Sequence, residues 1–253
     1  MDDVEEWILR LQDGDWQVHR RATDALRATG PAALEPLCRL LKGGDERARE
    51  AAARTLGEIG DPGAAGALRA ALRDEDASVR QAAAESLGGM GSDSTGALCE
   101  ALADGASGVR RAAVQSLLKL ADPQAADALC KALRDADWWV CGTAKAALVN
   151  LGAPAVGPLC RLLQQGSEEE RYAAIEVLEA LAFASPTPRL REALPVLRRL
   201  ARGAKRGSPM LLSLERIQAA LEETRSLPVP ATLPAPVTPS LPIPSPAPPP
   251  PDA

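Results

Sequence analysis

Aromatic residues are scarce in this sequence: one Phe, one Tyr and four Trp among 253 residues. Aromatics dominate the energetics of ordinary cores, so this scarcity argues against one deep core. It favours thin layers of helices closing over Ala and Leu, which are plentiful. Histidine is scarcer still, with His19 alone, so no Ser–His or Cys–His pair can be assembled for nucleophilic catalysis. Gly-rich phosphate loops are missing, because the glycines fall where helices end and at Gly88-Gly89 rather than in strand-to-helix turns. No apolar run approaches the roughly 18 residues that span a bilayer. Five cysteines, an odd number, do not suggest a disulfide framework. A basic excess is absent as well: the net charge is −5 and the isoelectric point near 5.2, which speaks against a nucleic-acid partner. The start, MDDVEEWILR, is acidic and unlike the basic opening of a secretion signal. These absences predict a soluble cytoplasmic protein with no membrane partner, no cofactor, no metal and no catalytic residues.

What the sequence does contain is one motif, repeated. DASVRQAAAESLGGMG, from Asp76 to Gly91, has near-copies beginning at Asp15, Asp45, Ala106, Asp137 and Ser167, at spacings of 30 or 31 residues. A fixed period of that size is the signature of a solenoid. Asp or Ser usually opens the unit, where a side-chain oxygen can cap a helix N-terminus. Three residues on stands Val18, Ala48, Val79, Val109 or Val140, with Glu170 as the exception. Four further on is always Ala (22, 52, 83, 113, 144, 174), and four beyond that always Leu (26, 56, 87, 117, 148, 178). Steps of four draw one stripe on a helix, and a helix held about 8–10 Å from its neighbours has no room at the Ala position for anything larger. Gly30, Gly60, Gly91 or Gly152 closes the helix, often with Pro beyond (Pro31, Pro62, Pro123, Pro154). A second helix follows, written PLCRLL, ALRAAL, ALCEAL or ALCKAL; Pro36 and Pro158 there predict a bend or a late start. The fold expected is all-α, an α-solenoid of antiparallel helix pairs over residues 1–225 with a leading helix near 4–12 and a capping helix near 209–225.

The string D-x-x-V-R-x-x-A-x-x-x-L-G-x-x-G-D-P, nearly whole from Asp45 to Pro62 and from Asp76 to Asp93, resembles HEAT repeats. More narrowly, it resembles the short HEAT-like repeats of the phycobilisome-lyase type, from about Val4 to Gly207. The resemblance implies a preformed concave groove lined by the D-x-x-V-R helices and a non-enzymatic scaffold that holds another protein or peptide in it. It also implies an alternative, a bilin lyase or lyase subunit transferring a tetrapyrrole to an acceptor cysteine, for which no residue of this sequence can be assigned. Some HEAT-repeat enzymes carry a di-iron site on His-Glu pairs, a pattern not found here, and a HEAT-like DNA glycosylase would need a basic groove. The resemblance further implies that Arg49, Arg80, Arg110 and Arg171 form a structural ladder with the turn acids Asp61, Asp93 and Asp122 between units.

The units are most informative where they differ. His19 stands in the place of the repeat arginine and reads as a substituted repeat position. Cys38, Cys99, Cys130 and Cys160 share one place in the second helix, with Arg69 in the fifth copy. Neighbouring copies lie too far apart for disulfides, which leaves semi-buried packing. The floor of the groove carries Arg20, Glu50, Gln81, Arg111, Gly142 and Tyr172, then Asp24, Arg54, Glu85, Gln115, Ala146 and Glu176, with no field of one sign. One copy departs furthest: DWWVCGTAKAALVN, Asp137 to Asn150, has two tryptophans at the helix start, Cys141 for arginine, and Gly142 on the floor. Trp16 is the counterpart of Trp138. Aromatics at one edge suit a partner's anchor points, so Trp16, Trp138, Trp139, Cys141 and Tyr172 are the candidate partner-binding residues. Past Leu181, residues 188–202 read as a basic helix and 209 onward as an amphipathic cap with Leu211, Leu214, Ile217 and Leu221 on one face. Residues 226–253 are Pro-rich low complexity, expected to be a disordered, polyproline-like spacer.

Overall fold

A computed structural model describes the backbone of residues 2–13, 15–184, 188–202 and 209–223. The expected Pro-rich tail lies outside the described residues. The helices run α1 (Asp2–Arg10), α2 (Trp16–Thr29), α3 (Leu34–Gly43), α4 (Glu46–Ile59), α5 (Ala65–Ala71), α6 (Ala77–Leu87), α7 (Thr95–Ala101), α8 (Ser107–Leu120), α9 (Ala126–Ala132), α10 (Trp138–Leu151), α11 (Ala153–Gln165), α12 (Glu168–Ala184), α13 (Ala193–Ala201) and α14 (Pro209–Glu223). The even-numbered helices stack on one another as a first layer, and the odd-numbered helices form a second. The stretch read as a basic helix begins with a 3-10 segment, Pro188–Glu192, before α13. Pro36 sits in the first turn of α3, whereas Pro158 lies inside α11.

Each first-layer helix begins as its sequence dictates. Asp15, Asp45, Asp76 and Asp137 accept hydrogen bonds from the amides of Gln17, Ala48, Ser78 and Trp139 at 2.7–2.9 Å. Ala106 cannot cap. Ser167 and Glu170 form a reciprocal box, the Glu170 carboxylate accepting from the Ser167 amide at 2.6 Å and the Ser167 hydroxyl from the Glu170 amide at 3.3 Å. That box explains why Glu170 interrupts the aliphatic row. Gly30, Gly60, Gly91 and Gly152 all take positive φ, and among the described residues Ala121 is the one non-glycine residue that does so.

The stripe defines the core. All six repeat alanines are fully buried, as are the six repeat leucines to within 1%. Val18 is half-exposed. Between α4, α6 and α8 the backbones come close enough for side chains to bond across: Ser86 Oγ donates to the Ala53 carbonyl at 2.9 Å and Ser116 Oγ to that of Ala84 at 2.7 Å. Gly57 and Gly88 face these serines, and a Cβ on either would stand within 2.2–2.5 Å of the hydroxyl oxygen. The second layer is splayed. A cleft of about 650 Å³ lies between α5 and α7, lined by Arg69, Arg73, Gly96 and Glu100, and another of about 600 Å³ between α7 and α9. Across α4, α6 and α8 the stack is tight in the first layer and open in the second, so it curves there toward the first layer, which forms the inner face.

A ladder of ion pairs runs along one edge, with partners other than those expected. Arg49 grips Asp74 through Nε and Nη2, both at 2.8 Å; Arg80 grips Asp104 at 2.7 and 3.0 Å; Arg110 grips Asp135 at 2.7 and 2.9 Å. These acids stand two residues before a helix cap, in the loop at the same edge as the arginine. The turn acids Asp61, Asp93 and Asp122 lie at the opposite edge: Asp61 caps Gly63 and Asp122 accepts from Thr95 Oγ1 at 2.8 Å. Each arginine also donates to carbonyls of its own preceding loop, as Arg80 does to Asp74 and Glu75. The rungs are largely out of water, with side chains 9–18% exposed. The Arg80 hydrogen bond holds the Asp104 carboxyl below the usual range, against the opposing effect of burial and with help from the Ala106 amide.

Two rungs have lost both partners together. His19 replaces arginine where the next loop offers Gly43, and Cys141 where it offers Gln165. A partly buried guanidinium without its carboxylate is strongly destabilising, which accounts for the paired loss. Arg171 retains the arginine, yet residues 203–208 read GAKRGS and contain no acid. Among the described residues its Nε is buried without a hydrogen-bond partner.

Candidate partner-binding surface

On the inner face most charged side chains are already spoken for. Glu50 takes Arg54 at 2.7 Å, Glu85 accepts from Gln81 at 2.8 Å, Asp137 takes Arg111 at 2.7 Å, and Glu176 takes Lys145. The three ion pairs among these cancel their own charges, while Glu85 keeps its charge under a neutral Gln81. One strip carries no charge at all: Gly142 and Ala146 on α10, with Tyr172 beside Gly142 on α12. Nothing stands within 4 Å of where a Gly142 side chain would begin.

Trp138 borders this strip one turn above Gly142, on the same face of α10, and is 78% exposed. Its position is firmly held from below. Asp137 caps the helix through the Trp139 amide while its other oxygen receives Arg111; that hydrogen bond keeps the Asp137 carboxyl below its ordinary range despite opposing desolvation. Trp139 is half-buried and packs against the core. Cys141 is half-buried, its thiol donating to the Leu133 carbonyl at 3.1 Å. Tyr172 is 39% exposed. Trp16 opens α2, the fourth helix before α10 in the same layer, and its side chain lies outside the described residues. Of the five candidates, then, Trp138 and Tyr172 present surface on adjacent helices, and Trp139 and Cys141 lie beneath them.

The remaining chemistry-bearing residues stand apart. Cys38, Cys99 and Cys160 are half-buried and Cys130 is buried, the semi-buried column expected. Burial raises all four thiols, Cys130 to about 12. His19 is half-buried beside a cleft of about 550 Å³ that includes Arg47, Glu50 and Arg54. Among the described residues no three His, Cys, Asp or Glu side chains are grouped to hold a metal, and no helix is long and apolar enough to cross a membrane.

The serine–glycine contacts join different copies and leave no signal within one repeat, whereas the ladder partners are readable: an Asp occurs 24 or 25 residues after each of Arg49, Arg80 and Arg110, and at neither rung that lacks the arginine.

The family model for HEAT repeats matches residues 4–88, 66–149 and 92–179. No curated protein matches the chain. Among solved structures, the chain is similar to one in the complex of Kap95p with RanGDP, with a TM-score of 0.53 at 17% identity over 87% of this chain and 35% of that one. It is similar to an archaeal HEAT-like repeats protein from Thermococcus onnurineus, with a TM-score of 0.50 at 18% identity over 88% and 98% of the two chains. The CpcE–CpcF complex of phycocyanin lyase from a Nostoc species gives 0.49 at 22% identity, covering 86% and 94%. These identities speak to fold alone.

Proposed function

The chain belongs to the HEAT repeat family, and from that membership we propose that it is a non-enzymatic scaffold which captures another protein or peptide on its inner face. The observation carrying this reading is the exposed Trp138, with Tyr172 on the adjacent helix, bordering a strip without charge in a surface where Glu50, Lys145 and Asp137 are paired. Large exposed aromatics on rigid supports are the usual energetic centres of interfaces. Trp138 lies at the start of a helix fixed by Asp137, Arg111 and the buried side of Trp139, so its backbone is ordered before any partner binds. Trp139 and Cys141 contribute by holding α10 in place, and Trp16 extends the same edge toward the first unit.

The test is affinity capture with mass spectrometry on the wild type and on Trp138→Ala combined with Tyr172→Ala. Loss of two anchors worth about 2 kcal/mol or more should weaken capture at least about 30-fold. Helicity should stay unchanged, because both rings are exposed. Undiminished capture by the double variant would sink the proposal.

A further inference from the structure

The sequence after Arg225 has a regularity that its low complexity conceals. The tetrapeptide Leu-Pro-x-Pro occurs three times, at Leu227–Pro230, Leu233–Pro236 and Leu241–Pro244. Polyproline helices have three residues per turn. Read at that period, Leu227, Pro230, Leu233, Pro236, Pro239 and Pro242 fall on one edge. No Lys or Arg occurs beyond Arg225, and Asp252 is the one acid of residues 226–253.

We infer that this segment, Leu227–Pro251, docks in cis on the Trp138–Tyr172 surface of its own chain. The inference rests on that surface being a binding site. Three observations select this occupant. Pro and Leu ridges in polyproline form are held by exposed aromatic rings, and Trp138 and Tyr172 are exposed aromatics at the start of adjacent inner-face helices. The strip between them at Gly142 and Ala146 is uncharged, as is the segment, whereas basic or acidic peptides would meet no free counter-charge there. The segment also reaches. α14 lies beside α12, which lies beside α10. From Glu223, Trp138 is two helix spacings away and one helix length back, about 30 Å in all. At about 3.1 Å per residue, roughly ten residues cover this distance, which brings Leu233 to the rings and leaves the third Leu-Pro-x-Pro beyond them.

The experiment measures a fluorescein-labelled synthetic peptide, Leu227–Pro251, by anisotropy against full-length protein. In one form the tail carries Leu227→Asp, Leu233→Asp and Leu241→Asp, so the surface is vacant. An intrinsic Kd of about 100 μM and a tethered concentration of about 1 mM make the wild type bind the peptide about tenfold more weakly than this form. Adding Trp138→Ala and Tyr172→Ala to the charged-tail form should abolish peptide binding. Equal affinity for wild type and charged-tail form would overturn the inference, as would binding that ignores the two aromatic substitutions. Light scattering covers the other occupant: a wild type at twice the 26.4 kDa monomer, returning to monomer when the tail is charged, would mean docking on a second copy and would overturn the cis arrangement. Should the peptide fail while capture of a foreign protein still needs Trp138, the inference falls and the scaffold stands. If the peptide binds and no foreign capture needs Trp138, the reverse holds.

Discussion

Replacing Asp104 with Gln isolates one rung of the edge ladder. The substitution removes the charge, and the longer Gln side chain also gives up the Ala106 amide, from which Asp104 now accepts at 2.8 Å. Arg80 keeps its carbonyl bonds to Asp74 and Glu75 but loses both carboxylate bonds. Its side chain is only 18% exposed, so water replaces the lost acid poorly. Leaving one member of a largely buried pair alone costs about 2–4 kcal/mol. For a chain of this length that corresponds to a fall in Tm of about 4–16 °C. The double variant Arg80→Cys, Asp104→Gln copies what the chain itself carries at Cys141 and Gln165. It should recover most of the loss, with a coupling of about 2 kcal/mol between the two sites. Thermal and urea denaturation of the wild type, the two single variants and the double close the cycle. A single Asp104→Gln variant within about 0.5 kcal/mol of wild type, or strictly additive losses, would refute the account of why broken rungs lose both partners.

Other outcomes follow from the same geometry. Gly57→Ala should destabilise by about 1–3 kcal/mol, since its Cβ would meet Ser86 down to the backbone at 2.9 Å, whereas Gly142→Ala, with open space around it, should stabilise by about 0.5–1 kcal/mol; thermal melts read both signs. Arg171→Met should raise Tm by a few degrees, because it removes a guanidinium whose next loop supplies no acid. The Asp104 carboxyl is held low in the fold, so the folded state binds fewer protons than the unfolded chain just below the unfolded Asp pKa of about 3.9. Its stabilisation is therefore complete above that pH and drains away as pH falls through the folded value; acid unfolding of Asp104→Gln should be correspondingly less steep. Iodoacetamide at pH 8 should reach Cys130 last of the five cysteines, given a thiol pushed up to about 12 and nearly full burial, and the order should vanish in urea when followed by peptide mass spectrometry.

The packing of the solenoid was legible because it follows from period alone. A helix packed closely on its neighbours needs a small residue at the contact line, and Ala22, Ala52, Ala83, Ala113, Ala144 and Ala174 supply it in all six copies, with the repeat leucines buried beside them. The edge ladder was legible in kind and not in partner. Both acid columns recur at the repeat spacing, and only the third dimension tells that Arg80, near the start of α6, faces the loop before α8 rather than the turn after α6. The serine–glycine contacts were missed for a related reason: Gly57 and Ser86 belong to different copies, and a reading made within one copy does not join them. At the candidate surface, composition singled out DWWVCG as a group. The repeat register, with Gly142 on the floor and Val140 in the core, puts Trp138 four residues before Gly142 on the outward face, and the structure adds that Trp139 packs against the core.

The paired loss at Cys141 and Gln165 bears on how such an array can lengthen or shorten. Each rung joins an arginine of one copy to an acid at the close of the same period, so excising Ala106–Ala136 removes Arg110 together with Asp135 and leaves Arg80 with Asp104. Excising Ala121–Leu151, a stretch of equal length, sets Arg110 opposite Gln165 instead and strands a positive charge. Two deletions that look interchangeable by count are therefore unequal in consequence. Recombination among the copies is free through the middle of the chain and phase-restricted at the fifth, which gives the copy bearing Trp138 a fixed address in the array.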